Sequence, residues 1–130
     1  MRTLTFTFDA PLPPPELHPN ARPNRWAKAR AIKAYRAAVG WAAKAARPED
    51  WDRAAPAYTV ALHFLVKTNR ARDQDGLTAW FKAGQDGMTD AGVWPDDHLV
   101  TSGGVTWGLD PVRPRVVVTV TTAETEAGRK

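Results

Sequence analysis

The sequence predicts an α+β fold: a small mixed β-sheet of about four strands with two helices packed on it. Three segments alternate apolar and polar residues as half-buried strands do, and two longer segments repeat apolar residues at helical spacing. The predicted order is β-α-β-α-β-β, and the 130 residues suffice for one domain with a single core. We assign residues 1–121 to this domain and residues 122–130 to a polar, frayed tail.

The first half of the chain predicts a strand, a loop and a long helix. Residues 3–8 alternate, with Leu4, Phe6 and Phe8 on one face. Residues 9–23 hold six prolines and form either a stiff surface connection or an arm that faces a substrate. Asn24 then caps a helix over residues 25–46. One face of this helix should meet the core through Ile32, Tyr35, Val39, Ala42 and Ala46.

The second half predicts a second helix between strands. Residues 58–67 form a strand and residues 76–91 a helix, and further strands follow at 98–107 and 115–121. The pair Gly103 and Gly104 indicates a bulge or bend in the third strand. Residues 108–114 hold glycine, aspartate and two prolines, as a turn between antiparallel strands does.

Composition narrows the class of partner. The net charge of +4 and the pI of about 9.8 favour a polyanion, with nucleic acid ahead of an acidic membrane surface. The absence of cysteine excludes disulfides, thiolate metal sites and a cysteine nucleophile. The sequence shows no secretory signal and no apolar run that could span a bilayer, so we expect a cytoplasmic location.

The predicted first helix is positively charged along its length. No acidic residue lies between Glu16 and Glu49, whereas a face that serves only solubility normally mixes both signs. Phosphate contact and a merely solvated face both remain open. The helix also carries Trp26 and Trp41, which either stack on bases or, as we prefer, pack against the protein. Its cationic region includes Arg22, Arg25, Lys28, Arg30, Lys33, Arg36, Lys44 and Arg47.

Acidic residues with a possible chemical role lie around the second helix. Asp73 and Asp75 face the same side if the backbone there is extended, although Asp75 also occupies a helix N-cap position. At 3.6 residues per turn, Lys82 and Asp86 share the helix side of Asp75. The alternative is a simple surface pair between Lys82 and Asp86.

A rigid turn, Val93-Trp94-Pro95, then returns Asp96 and Asp97 to the same region. Several carboxylates in one place repel each other unless a cation joins them. Oxygen ligands suit Mg²⁺, for which Mn²⁺ can substitute, and such a metal beside a lysine suits phosphoryl transfer. The residues therefore predict a divalent-metal site for cutting a nucleic-acid backbone.

The segments RDQDGL and DAGVWPDD, with Lys82 between them, resemble the signature of RusA-like Holliday junction resolvases of bacteria, prophages and phages. The resemblance implies a homodimer that makes paired, symmetric, Mg²⁺-dependent nicks in four-way DNA junctions during recombination, repair or phage DNA processing. By position, Asp73, Asp75 and Asp97 match the metal-binding acids and Lys82 the catalytic lysine. Asp96 is the neighbouring acid, a weaker candidate ligand, and Asp86 matches a recurrent aspartate.

Two positions depart from the family pattern. Gly76 replaces the asparagine that usually follows the second aspartate, and the spacing from Leu77 to Lys82 is longer than in the shortest members. These departures leave open a non-catalytic protein that binds branched DNA. A metal-dependent enzyme for small phosphate esters is a third hypothesis, but it leaves the basic helix unexplained. The residues expected to bind nucleic acid are Arg25, Lys28, Lys33, Arg36, Lys67, Arg70 and Arg72.

Overall fold

A mixed β-sheet of four strands, covered by helices on one face, is the frame of the protein. The computed structural model describes residues 3–70 and 72–122. The mixed sheet and its helices confirm the predicted α+β class. The strands are β1 (Thr5–Ala10), β2 (Tyr58–Val66), β3 (Val100–Leu109) and β4 (Arg115–Thr122), and the helices are α1 (Arg25–Ala46), α2 (Gln74–Trp80) and α3 (Lys82–Asp90).

The sheet order is β1-β4-β2-β3, with one parallel pair. β2 and β3 are parallel neighbours, and α2 and α3 form the crossover that a parallel pair requires. β4 lies between β1 and β2 and is antiparallel to both. The turn predicted at residues 108–114 therefore joins strands that run in opposite directions but do not pair, since β2 separates them. The acidic residues lie near the two ends of the crossover.

The predicted alternation of the strands is confirmed. In β1 the threonines are exposed while Phe6 and Phe8 are buried, and β3 has the predicted bulge. Val60 pairs with Ser102 but Leu62 pairs with Val105, so β3 carries one extra residue at its two glycines. The core side chains that β2 and β4 bury are Tyr58, Val60, Leu62, Phe64, Val66, Val116, Val118 and Val120.

Helix α1 begins and ends where the sequence predicts. The Asn24 side chain accepts a hydrogen bond from the Ala27 N–H at 2.8 Å, and Tyr35 and Val39 are buried against the core. Trp26 and Trp41 are 65% and 70% exposed. Our expectation that these two tryptophans pack against the protein is therefore wrong.

The single helix predicted over residues 76–91 is two helices. Phe81 separates them: its N–H donates to the carbonyls of Leu77 and Thr78, and its own carbonyl accepts from the Gly84 N–H at 2.8 Å. This is the tighter spacing of a 3₁₀ turn. The Phe81 ring is buried and meets Phe64 edge-to-face. The last predicted strand also extends to Thr122, and the rest of the predicted tail, 123–130, lies outside the described residues.

Helices α1 and α3 approach each other closely at two glycines. A Cβ atom on Gly87 would lie 2.1 Å from the Arg36 carbonyl oxygen, and one on Gly40 would lie 3.0 Å from the Gly87 carbonyl oxygen. Backbone surrounds both positions, so neither could gain a side chain without moving a helix. The packing of α3, and hence the position of Lys82 at its start, depends on this contact.

Replacing Gly87 with alanine should force α1 and α3 apart. We expect the free energy of unfolding to fall by about 1–3 kcal/mol, because overpacking a tight contact shifts backbone. Urea unfolding followed by circular dichroism measures it. Lys33→Ala, on the exposed surface of α1, is the control and should change stability by no more than about 0.5 kcal/mol. Equal stability of the Gly87→Ala variant and the native protein would contradict the close contact.

Candidate functional site

Asp73 and Asp75 lie where the chain leaves β2 and enters α2. The N-cap of α2 is Asp73, whose Oδ1 accepts a hydrogen bond from the Gly76 N–H at 2.5 Å. We predicted Asp75 at the cap position, but the helix begins two residues earlier and places Asp75 in its first turn. Both side chains are exposed, and Asp75 makes no hydrogen bond or ion pair with the described residues.

Gly76 allows this short capping hydrogen bond. A Cβ atom there would lie 2.8 Å from Asp73 Oδ1, closer than such contacts occur. An asparagine at this position, as the resemblance would have it, would require the carboxylate of Asp73 to shift slightly. The hydrogen bond from the backbone N–H of Gly76 orients the Asp73 carboxylate, while Asp73 Oδ2 keeps no partner among the described residues.

The two aspartates line an open cleft with the proline-rich loop as its opposite wall. Trp80 ties that loop to α2, since its Nε1 donates to the Pro14 carbonyl at 3.0 Å and its ring meets His18 edge-to-face. The loop therefore lies along the acidic residues, where an arm that faces a substrate would lie. Residues that sequence reasoning did not connect with this cleft, and that line it, are Pro15, His18, Pro19 and Asn20.

Lys82, the first residue of α3, meets Asp97, which lies just before β3. Lys82 Nζ lies 2.8 Å from Asp86 Oδ1 and 3.9 Å from Asp97 Oδ2. The surface pair between Lys82 and Asp86 is therefore present, and the acidic turn also brings Asp97 back toward Lys82. Buried Val93 and Trp94 anchor that turn, because the Trp51 Nε1 donates to the Val93 carbonyl at 2.8 Å.

Asp96 has a different environment from Asp97. It accepts hydrogen bonds from the His98 N–H at 3.0 Å and from the His98 ring, whose Nδ1 lies 2.9 Å away. The backbone hydrogen bond first, and the imidazole second, hold the pKa of Asp96 below its ordinary value. In the sequence, His98 is too isolated to indicate either a structural or a ligand role.

The acidic residues form two groups in the structure. Within residues 3–70 and 72–122, no three carboxylate or imidazole side chains are close enough to hold one metal ion together. The predicted convergence of Asp73, Asp75 and Asp97 is therefore not present in this arrangement, because one group is fixed to the start of α2 and the other precedes β3. The donor chemistry still fits Mg²⁺, which keeps several waters and takes as few as one or two carboxylates.

The cations predicted to bind nucleic acid do not all lie at the same place. Arg70 and Arg72 line the acidic cleft, whereas the predicted cations of α1 do not. Arg72 donates to the carbonyls of Thr68 and Arg70 and lies over the Trp107 ring at 5.4 Å. Burial, and then the neighbouring Arg70, lower the pKa of Arg72. The two hydrogen bonds to carbonyls hold the Arg72 guanidinium in place next to Asp73 in the chain.

The other predicted cations differ in how much of their charge is engaged. Arg25 lies over Trp26 at 4.9 Å, and Arg36 pairs with Asp90 through two hydrogen bonds that join α1 to α3. The Arg36 guanidinium lowers the pKa of Asp90. In the part of the chain that the structure describes, no ion pair is made by Lys28, Lys33, Lys67 or Arg70.

Comparison of the chain with models of known protein families, and with curated proteins, found no match. Across the described residues, no helix combines the length and apolar character needed to cross a membrane.

Removing the cap should destabilise α2, whereas removing its neighbour should not. Asp73→Ala should lower the free energy of unfolding by about 1 kcal/mol, since N-cap losses span roughly 0.5–2 kcal/mol. Asp75→Ala, at an exposed position without a hydrogen-bond partner, should stay within about 0.5 kcal/mol of the native protein. Urea titration compares the two variants. Equal losses would show that the assignment of the cap is wrong.

The ion pair between Arg36 and Asp90 should make the stability of the folded protein depend on pH in the acidic range. Because the pKa of Asp90 is lowered in the folded protein, its contribution is present above the ordinary carboxyl pKa. It is lost as the pH falls through the lowered value. Arg36→Ala should thus reduce the melting temperature at neutral pH and lose this effect in acid. A pH-independent difference would argue against the ion pair.

Proposed function

We propose that the protein is a Mg²⁺-dependent endonuclease, similar to RusA-like resolvases, that cuts four-way DNA junctions. The observation that carries this proposal is the meeting of Lys82 with Asp97, at 3.9 Å, on an exposed surface next to the cleft-bearing helix α2. A lysine beside an acidic turn, near further carboxylates, suits the cleavage of a phosphodiester.

Asp73, Asp75 and Asp97 are the residues that would hold the metal, with Asp96 beside them. The free Oδ2 of Asp73 supports this, because a carboxylate can cap a helix with one oxygen and offer the other. When bound, Mg²⁺ would polarise the scissile phosphate and lower the pKa of a water at the site. The negative charge of the acids would itself be reduced by the ion.

Lys82 would stabilise the charge that develops on the phosphate. Its side chain is 62% exposed, so a substrate can reach the ammonium, and its contact with Asp86 limits where that ammonium lies. Arg70 and Arg72 line the cleft beside Asp73 and would bind the flanking phosphates. Fixing Arg72 by backbone carbonyls reduces the entropy that this contact would cost.

Two further parts of the proposal follow from the substrate. A four-way junction presents two symmetry-related strands, so paired cutting calls for two copies of the site, which a homodimer provides. The place of action would be the cytoplasm of a bacterial cell or of a phage-infected host, where recombination, repair and phage DNA processing produce such junctions.

A second candidate function is supported by the separation of the acids. Because the described residues contain no ready group of three ligands, a protein that binds branched DNA without cutting it also fits the structure. Such a protein would bind junctions equally with and without a divalent cation.

The test is a nicking assay on a synthetic four-way junction, with linear duplex as the comparison, in the presence and absence of Mg²⁺. We expect paired nicks on the junction with Mg²⁺ only. Asp75→Asn should reduce cutting by at least about a hundredfold while junction binding changes less than about twofold, since only the chemical step loses its ligand.

The matched control is Asp52→Asn, an equally conservative change outside the cleft, where an asparagine can still accept the Ala54 N–H hydrogen bond. This variant should cut like the native protein. Full cutting by Asp75→Asn would exclude the proposed site. Binding without any nick by the native protein, in both Mg²⁺ and Mn²⁺, would establish the second candidate instead.

A further inference from the structure

A second pocket, whose charged lining residues are mainly cations, lies at the other end of the helical layer. It has a volume of about 360 Å³ and opens between the C-terminal half of α1, the loop that follows, and the end of α3. Lys44 and Arg47 in its lining belong to the cationic region that the sequence predicts, and none of its lining residues lines the acidic cleft. Four of the lining residues are suited to binding a ligand. They are Trp41, Lys44, Arg47 and Arg53.

Two guanidinium groups are held in place in this pocket. Arg47 Nη1 donates to the carbonyls of Ala91 and Gly92, both at 3.0 Å, and Arg53 Nε donates to the Gly92 carbonyl at 3.2 Å. These carbonyls follow the C-terminus of α3, the negative end of a helix dipole. Gly92 has a φ of 75°, and a Cβ there would lie 2.6 Å from Arg53 Nη2. The glycine thus makes room for the arginines.

The pocket keeps an excess of positive charge. Its one acidic lining residue, Asp90, is neutralised by Arg36 through two hydrogen bonds. Each guanidinium carries five N–H donors, and the contacts with carbonyls use only some of them. The remaining donors, with the ammonium of Lys44, can bind an anionic group in the pocket.

An exposed aromatic ring completes the pocket. Trp41 is 70% exposed, and the ammonium of Lys44 lies over its ring at 5.6 Å. A large apolar ring with so little packing contributes little to the core. Beside three cations, it offers a flat stacking surface next to a phosphate-binding site.

We propose that this pocket binds an unpaired nucleotide of a nucleic-acid strand. The base stacks on Trp41, and its phosphate lies between Lys44, Arg47 and Arg53. A ring beside fixed cations matches a base beside its phosphate, whereas a membrane surface would favour a broad apolar face and an acidic peptide would not need the ring. The inference is independent of DNA cutting, because none of the residues that line this pocket lines the acidic cleft.

The probe is the 5′-phosphorylated dinucleotide of thymidine, titrated into ¹⁵N-labelled protein. The indole N–H signals of the six tryptophans report binding. We expect the Trp41 signal to shift and saturate while the Trp26 signal stays constant. Trp26 is the internal control because it is 65% exposed on the same helix, and the roughly 22 Å between the two positions exceeds what a dinucleotide spans.

Two variants test the two halves of the pocket. Trp41→Ala should weaken dinucleotide binding at least about fivefold, and Lys44→Gln should weaken it and reduce its salt dependence. Trp26→Ala, the matched control, should bind like the native protein. All three positions are exposed, so circular dichroism should show an unchanged fold.

Four results would overturn the proposal. The first is equal shifts of the Trp26 and Trp41 signals, and the second is an unchanged affinity of Trp41→Ala for the dinucleotide. The third is that inorganic phosphate binds as tightly as the dinucleotide. The fourth is that the Trp41 signal shifts only when phosphatidylserine vesicles are added or when the protein concentration is raised. The last result would assign the face to a membrane surface or to a second copy of the chain.

Discussion

The burial of Phe81 is the constraint on which the candidate site depends. Its ring meets Phe64 of the central strand and Tyr35 of α1, and almost none of it is exposed. The 3₁₀ turn at this residue ends α2 and begins α3, so that both helices place apolar side chains on the sheet. Lys82 follows Phe81 directly, so its side chain points away from the core. There it meets Asp97, which belongs to the turn anchored by buried Trp94. A packing requirement in the core therefore decides which acid the lysine meets.

At both ends of the helical layer, backbone groups hold charged side chains in place. At one end the acids follow β2, with Asp73 held by the first turn of α2 and Arg72 held by loop carbonyls. At the other end the carbonyls after α3 hold Arg47 and Arg53. Backbone groups orient the charged side chains at both ends, which reduces the entropy lost when an anion or a cation binds.

Much of the fold was predictable because it follows from local sequence. The alternation of apolar and polar residues predicted the buried faces of β1, β2 and β4 correctly, and the cap at Asn24 and the helical period predicted the ends of α1. Both signals act over a few residues. The break at Phe81 was not predictable from periodicity, since the apolar spacing continues through it. The candidate site was predicted in part: Lys82 does meet Asp97, but a helical wheel that assumed a straight helix also placed Asp75 beside them. The exposure of Trp26 and Trp41 was missed because an aromatic residue in a sequence carries no sign of which surface it meets.

By itself, the sequence determined the fold class, the identity of the strand faces, the extent of α1 and the acidic residues worth testing. These depend on periodicity, caps and turn residues within a few positions of one another. Only the tertiary structure decided that β4 lies between β1 and β2, and that Arg47 and Arg53 meet at Gly92. Each of these depends on contacts between residues distant in the chain, or on a glycine's neighbours in space. The energy of such contacts comes from packing geometry, which no local pattern specifies.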